Sequence, residues 1–110
     1  MKVELTNSKR LKLKLLEPLA CGSITVPAGF QTDLATIPKA LWSILPPFGR
    51  YSRAAVVHDY IYTELTGIYT RKQADVIFRN IMKADGVGSV TRNSMYYAVR
   101  MGGRGNWKKV

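Results

Sequence analysis

Residues 11–15 read Leu-Lys-Leu-Lys-Leu, and this strict alternation constrains the first third of the chain more than any other feature. Successive side chains on a strand point to opposite faces, so Leu11, Leu13 and Leu15 share one side and Lys12 and Lys14 the other. A half-buried strand over Leu11–Leu16 is expected, with leucines inward and the lysines in water, where they blunt an exposed sheet surface. Val3–Thr6, separated from it by Asn7 and Ser8, completes a hairpin. Ser23–Val26 reads as a third strand. Pro27-Ala28-Gly29 is turn chemistry leading into a fourth short one, Phe30-Gln31-Thr32.

Beyond residue 32 the apolar period becomes helical. Thr36-Ile37-Pro38 opens a short helix to Trp42, with proline tolerated in its first turn, and Pro46 and Pro47 end it before a loop at Phe48–Tyr51. Ser52 is an N-cap candidate for a helix over Arg53–Thr66, stopped by Gly67. Thr70 caps the next helix, where Ala74, Ile77, Phe78, Ile81 and Met82 recur at helical spacing to Ala84. The short connection makes the two an antiparallel hairpin. A third helix, Val90–Met101, follows Gly86-Val87-Gly88 and ends at Gly102-Gly103. The expected fold class is α+β: a small N-terminal antiparallel sheet, then a helical hairpin and a third C-terminal helix. One domain covers 1–110, divided into a β-rich part (1–32), a loop with a short helix (33–51), a helical part (52–101) and a basic, partly mobile tail (102–110).

At 46% hydrophobic residues, 110 residues can bury a core without disulfides or a structural metal. Cys21 is the single cysteine, which excludes a disulfide framework and a thiolate-rich zinc site. No apolar run approaches the roughly 20 residues of a membrane span, and the N-terminus lacks a signal-peptide apolar region, so synthesis in the cytoplasm is expected. The net charge of +10 favours an anionic partner such as nucleic acid or lipid headgroups, or serves as a solvated surface. From Arg50 onward eleven basic residues face four acidic ones, which places any polyanion contact in the C-terminal half. Tyr96, Tyr97 and Trp107 are aromatics that nucleic-acid binding could use, although no recognised nucleic-acid motif accompanies them.

Chemistry converges on the helical hairpin. His58 is the only histidine, so imidazole chemistry near neutral pH must use it. Tyr62 follows one turn later, and Ala54 and Ala55 one turn earlier leave room for close approach. Asp59 is about 100° around the helix from His58, so the two face different parts of a cleft. Asp75 lies in the apolar stripe of Phe78 and Met82, where a carboxylate needs a partner. On an antiparallel hairpin it can reach a ring nitrogen of His58, fix the tautomer and stabilise an imidazolium. Asp59 is then available to a hard cation. The alternative is a hydrogen-bonded core cluster that fastens helix to helix. Asp33 is either an Asx-turn or capping carboxylate, or a further oxygen for a cation site beside Asp59.

Phe30–Pro38, Pro46–Tyr51, Ala54–Tyr62, Arg71–Phe78 and Tyr97–Arg100 before Gly102-Gly103 together resemble an uncharacterised family of small tailed-phage and prophage proteins. That resemblance implies a phage-encoded chain made in the host bacterial cytoplasm, with virion or tail proteins as partners. More distantly, His58-Asp59-Tyr60-Ile61-Tyr62 followed by Ala74-Asp75-Val76-Ile77-Phe78 is similar to the helical core of the phospholipase A₂ superfamily. This likeness implies His58 as general base, Asp75 orienting it, Tyr62 supporting the network, Asp59 binding calcium and an anionic lipid ester as substrate. The chain departs from that superfamily before the histidine, where Pro46–Tyr51 carries one glycine and two prolines in place of a glycine-rich calcium loop. Two functions follow as expectations: a phospholipase A₂-like hydrolase, or a non-catalytic tail or virion component with the same cluster as a buried staple.

Overall fold

The computed structural model describes residues 2–7, 12–32 and 51–108. Leu11, Asp33, the expected short helix from Thr36 to Trp42, the prolines at 46 and 47 and the loop at 48–50 lie outside the described residues.

Five short strands form two antiparallel sheets. In the first, β1 (Val3–Asn7), β2 (Lys12–Leu15) and β5 (Gln31–Thr32) lie in the order β1-β2-β5. Leu13 and Leu15 are buried and Lys14 between them is half-buried, which is the inward side that the alternation predicts. Glu4 stands opposite Lys14 across the β1–β2 ladder, a pairing of unlike charges, and the register shifts between Leu5 and Asn7. Gly29 at φ +89° turns the chain into β5, and the Leu15 amide donates to the Phe30 carbonyl at 2.9 Å.

The second sheet is a hairpin of β3 (Leu19–Cys21) and β4 (Ile24–Val26), closed by Gly22-Ser23 with Gly22 at φ +59°. A two-residue turn of this kind needs positive φ, which glycine supplies at no steric cost. Leu19, Ile24 and Val26 point into the core.

Helix α1 (Ser52–Glu64) buries nine of its thirteen residues, including Ala54 and Ala55 at 0% exposure, so it is the central helix rather than an amphipathic surface one. Ser52 is its first helical residue and not its cap. Tyr51 occupies the N-cap position without a side-chain cap bond, and Ser52 is itself buried. The helix closes at Glu64 with Leu65 as C-cap, before Gly67 is reached.

Helix α2 (Arg71–Ala84) begins with a complete capping box: the Gln73 amide donates to the Thr70 hydroxyl, and the Thr70 amide to the Gln73 side chain. Ala74, Asp75, Phe78, Ile81 and Met82 form its buried stripe, and Ile77 is half-buried at its border. Arg53 at the start of α1 grips Asp85, just past the end of α2, with two bonds of 2.9 and 2.7 Å. The hairpin is therefore antiparallel. Helix α3 (Ser89–Gly102) packs on α2 through Met95, Tyr96 and Val99, and the Arg79 guanidinium lies 4.1 Å over the Tyr96 ring.

After α3 the chain stays folded as far as Lys108. A 3₁₀ turn at Gly103–Asn106 leads to Trp107, whose ring packs edge-on against Tyr62 at 5.0 Å, and the Lys108 amide donates to the Tyr62 carbonyl at 3.1 Å. Among the described residues, no helix is long and apolar enough to cross a membrane.

Candidate functional site

His58 sits in the middle of α1, Tyr62 one turn further along the same face, and Asp75 in the second turn of α2 opposite both. The antiparallel crossing brings them together as the sequence predicts. His58 Nε2 lies 2.6 Å from Asp75 Oδ1, and the Tyr62 hydroxyl donates to the same oxygen at 2.6 Å. The other oxygen, Oδ2, accepts from Arg100 Nη1 at 2.8 Å and has Arg71 Nη1 at 3.7 Å. His58, Tyr62 and Asp75 are all 0% exposed. The imidazole is held between two rings, Tyr62 at 4.2 Å and Phe78 at 4.6 Å between centroids.

Burial decides the charge on the histidine. Removing an imidazolium from water lowers the pKa of His58 below its ordinary 6.5, and although Asp75 pulls the other way, the Arg71 charge adds to the lowering. Burial by itself would raise Asp75. The bonds from His58 and Tyr62 and the Arg100 guanidinium outweigh it and hold the carboxyl below the ordinary carboxylate value. The Tyr62 phenol is pushed far up, first by burial and then by the adjacent carboxylate. At neutral pH the cluster is thus an ionised Asp75 facing a neutral imidazole, a protonated phenol and two guanidiniums. An imidazolium would add a third cation around one carboxylate. With Asp75 ionised, Nε2 carries the proton it donates, and Nδ1 is the basic nitrogen of the ring.

The other expected residues are placed differently. Asp59 is buried at 6% exposure beside His58, and its backbone carbonyl accepts from the Thr63 hydroxyl at 3.0 Å. Asp33 lies outside the described residues. Calcium takes about six to eight oxygen ligands, and among the described residues no three His, Cys, Asp or Glu side chains gather around a common point. Among the described residues, carboxylate side chains do not gather into a calcium site around Asp59.

Sequence reasoning missed four participants. Arg71 precedes Asp75 by one helical turn, a spacing that signals an ion pair. Arg100 reaches Asp75 across 25 residues, and no local pattern signals that contact. Gly103 and Trp107 cover Tyr62 from the far side: a Cβ at Gly103 would stand 2.8 Å from Tyr62 Oη. The aromatics considered for nucleic acid divide, with Tyr96 buried, Trp107 half-buried against Tyr62 and Tyr97 exposed.

Two open cavities lie elsewhere on the surface. One, of about 410 Å³, is lined by Tyr69, Thr70, Lys72 and Val76; the other, of about 350 Å³, by Cys21, Ile24, Arg53 and Asn80, and both touch Ile77. His58, Tyr62 and Asp75 line neither.

The fold and site define an α+β domain whose helical half encloses a buried His–Asp–Tyr cluster. The chain belongs to the family described as protein of unknown function DUF1353, which matches residues 13–99 and so includes His58, Tyr62, Arg71 and Asp75 but not Arg100, Gly103 or Trp107. Over 76 residues it is 40% identical to the uncharacterized protein y4jT of Sinorhizobium fredii (strain NBRC 101917 / NGR234). That stretch is 67% of this chain and 22% of the relative, so the chain corresponds to a minor part of a longer protein there. No solved structure matches.

Proposed function

We propose that this is a phage-encoded, virion- or tail-associated protein whose His58–Asp75 pair serves phospholipase A₂-type ester hydrolysis. The observation that carries the reading is the bond between His58 Nε2 and Asp75, with Tyr62 on the same carboxylate oxygen. That bond fixes the tautomer in which Nδ1 is the basic nitrogen, and burial keeps the ring neutral. In the reaction, Nδ1 removes a proton from water as its oxygen attacks the ester carbonyl. Asp75 stabilises the resulting imidazolium, which returns the proton to the departing alcohol as the tetrahedral adduct collapses to acid and alcohol. Since the ring is fully covered, this reading requires an opening that admits water and ester to Nδ1.

An anionic lipid surface is the proposed partner. Val90, Tyr97 and Met101 are exposed at 80%, 62% and 88% and fall on one line along α3. From Gly86 to the C-terminus there are five basic residues and no acidic one. Exposed apolar side chains in a basic segment suit a headgroup region better than a phosphate backbone alone. The phage setting is supported by the family resemblance of the sequence motifs. The phospholipase likeness assigns calcium to Asp59, where it would polarise the ester carbonyl; as the described residues gather no set of carboxylates there, no step is routed through it. The test is fatty-acid release from phosphatidylglycerol vesicles, with calcium and with chelator. Turnover that Asp75→Asn slows at least tenfold supports the reading, and absence of turnover under both conditions contradicts it.

A second reading is favoured by the complete burial of His58, Tyr62 and Asp75 and by the saturation of both Asp75 oxygens. Here the cluster is a staple in a non-catalytic tail or virion subunit. It predicts a fixed copy number in purified particles, with Asp75→Asn changing stability alone.

A further inference from the structure

We infer that the outer face of α2 carries a binding trough for a long-chain fatty acid anion, with the carboxylate at Lys72 and the alkyl chain lying along the helix toward Ala84. The inference stands apart from the hydrolase reading, since His58, Tyr62 and Asp75 line neither of the two cavities that make the trough. Those cavities, of about 410 and 350 Å³, share Tyr69 and Ile77 and are therefore neighbours. Each falls within the range of roughly 300–1,000 Å³ that small-molecule sites occupy.

Their spacing on α2 makes them one track. The helix contributes Lys72, Gln73, Val76 and Ile77 to the first cavity, and Ile77, Asn80, Ile81 and Ala84 to the second. Side chains three and four residues apart share a helix face, so these positions form a single stripe from the first turn of α2 to its last. From Lys72 to Ala84 the helix rises roughly 18 Å, enough to lay an extended alkyl chain along it. The turn between β3 and β4, residues 21–24, adds to the second half of the trough.

The chemistry of the lining selects the occupant. Tyr69, Val76, Ile77 and Ile81 make it predominantly apolar, and several of its polar groups are committed elsewhere. Thr70 and Gln73 bond each other's backbone in the capping box, and Arg53 is held by Asp85. No Asp or Glu among the described residues lines either cavity, whereas Lys72 stands exposed at one end. An apolar track that ends in one ammonium fits a tail with a single negative charge at its head. A phosphate head, with nearly two charges, calls for an arginine fork or several cations, which the trough lacks. An extended peptide fits less well, because it brings an N–H and a C=O per residue and the backbone of α2 is already bonded within the helix.

The test titrates sodium octanoate, decanoate and dodecanoate, each kept monomeric, into the intact ¹⁵N-labelled protein at constant salt. Saturable shifts should centre on the amides of residues 69–84 and 21–24. Affinity should rise roughly four- to fifteenfold for each two carbons added, the lower figure applying where half of the chain stays in water. Lys72→Glu, an exposed substitution, should weaken dodecanoate by about three- to tenfold and leave dodecyl maltoside, which has the same tail and no charge, as it was. Ile77→Asp, in the wall common to both cavities, should abolish binding of both amphiphiles, and Val76→Asp should do so for dodecanoate if the first variant does not fold. Absence of saturable binding overturns the inference, as do shifts confined to other faces or a dodecanoate affinity unmoved in Lys72→Glu. Equal affinity of the wild type for the two amphiphiles overturns the assigned head group. Dimerisation that perturbs the same amides without any amphiphile overturns the occupant, a second copy of the chain taking its place.

Discussion

Asp75 is where three helices meet in one carboxylate, since α1 donates to one oxygen and α3 to the other. Removing its charge leaves a buried imidazole, a buried phenol and two guanidiniums without their anion. Asp75→Asn should cost on the order of 3 kcal/mol, read as a lower urea midpoint at unchanged slope. The pH dependence has a sign fixed by the same groups. The pKa of His58 is lower folded than unfolded, so the unfolded chain binds more protons below 6.5 and stability falls as pH drops through that value. Asp75, also lowered, adds a second loss below its ordinary 3.8. Thermal melting should therefore decline on acidification from neutrality in wild type, and His58→Gln should abolish the first part of that decline and keep the second. At this scale the sequence revealed His58 by its uniqueness and Asp75 by its place in an apolar stripe. Arg100 was hidden because its partner is distant in the chain and a basic residue at a helix end already has an ordinary explanation in the dipole.

Elements were legible where local chemistry decides them. The Thr70–Gln73 capping box marks the start of α2, and Thr70→Ala should lower stability by about 1 kcal/mol. Ser52 misled as a cap because burial of the first turn of α1, not capping, fixes that end. Strand β3 escaped notice, since Leu19-Ala20-Cys21 has no β-branched residue and gains its order from pairing with β4. The segment after α3 looked like a tail from its glycines and cations, yet Gly103 is there because Tyr62 leaves no room for a side chain. Gly103→Ala should cost about 1–3 kcal/mol in chemical denaturation, because Tyr62 is pinned by Asp75 and cannot yield. A loss no greater than that of an exposed substitution such as Gly105→Ala would contradict the close packing of Gly103 on Tyr62.

For the molecule as a whole, the switch from alternating to helical periodicity was enough to establish an α+β chain with its sheets before its helices. It could not say that the strands divide into two sheets, because that depends on which edges meet. The enclosed cluster lies within the central helix and the two helices stacked beyond it, while the basic charge and the exposed line of α3 remain at the surface. The proposed chemistry and the proposed partner surface thus lie in different parts of the chain. The central claim is that the enclosed imidazole is a base and not only a staple. It is tested most directly by measuring fatty-acid release from phosphatidylglycerol vesicles by wild type and by His58→Gln, with circular dichroism showing both folded. The account predicts turnover in wild type and none above background in the variant. A silent wild type, or equal turnover in the two, would contradict it.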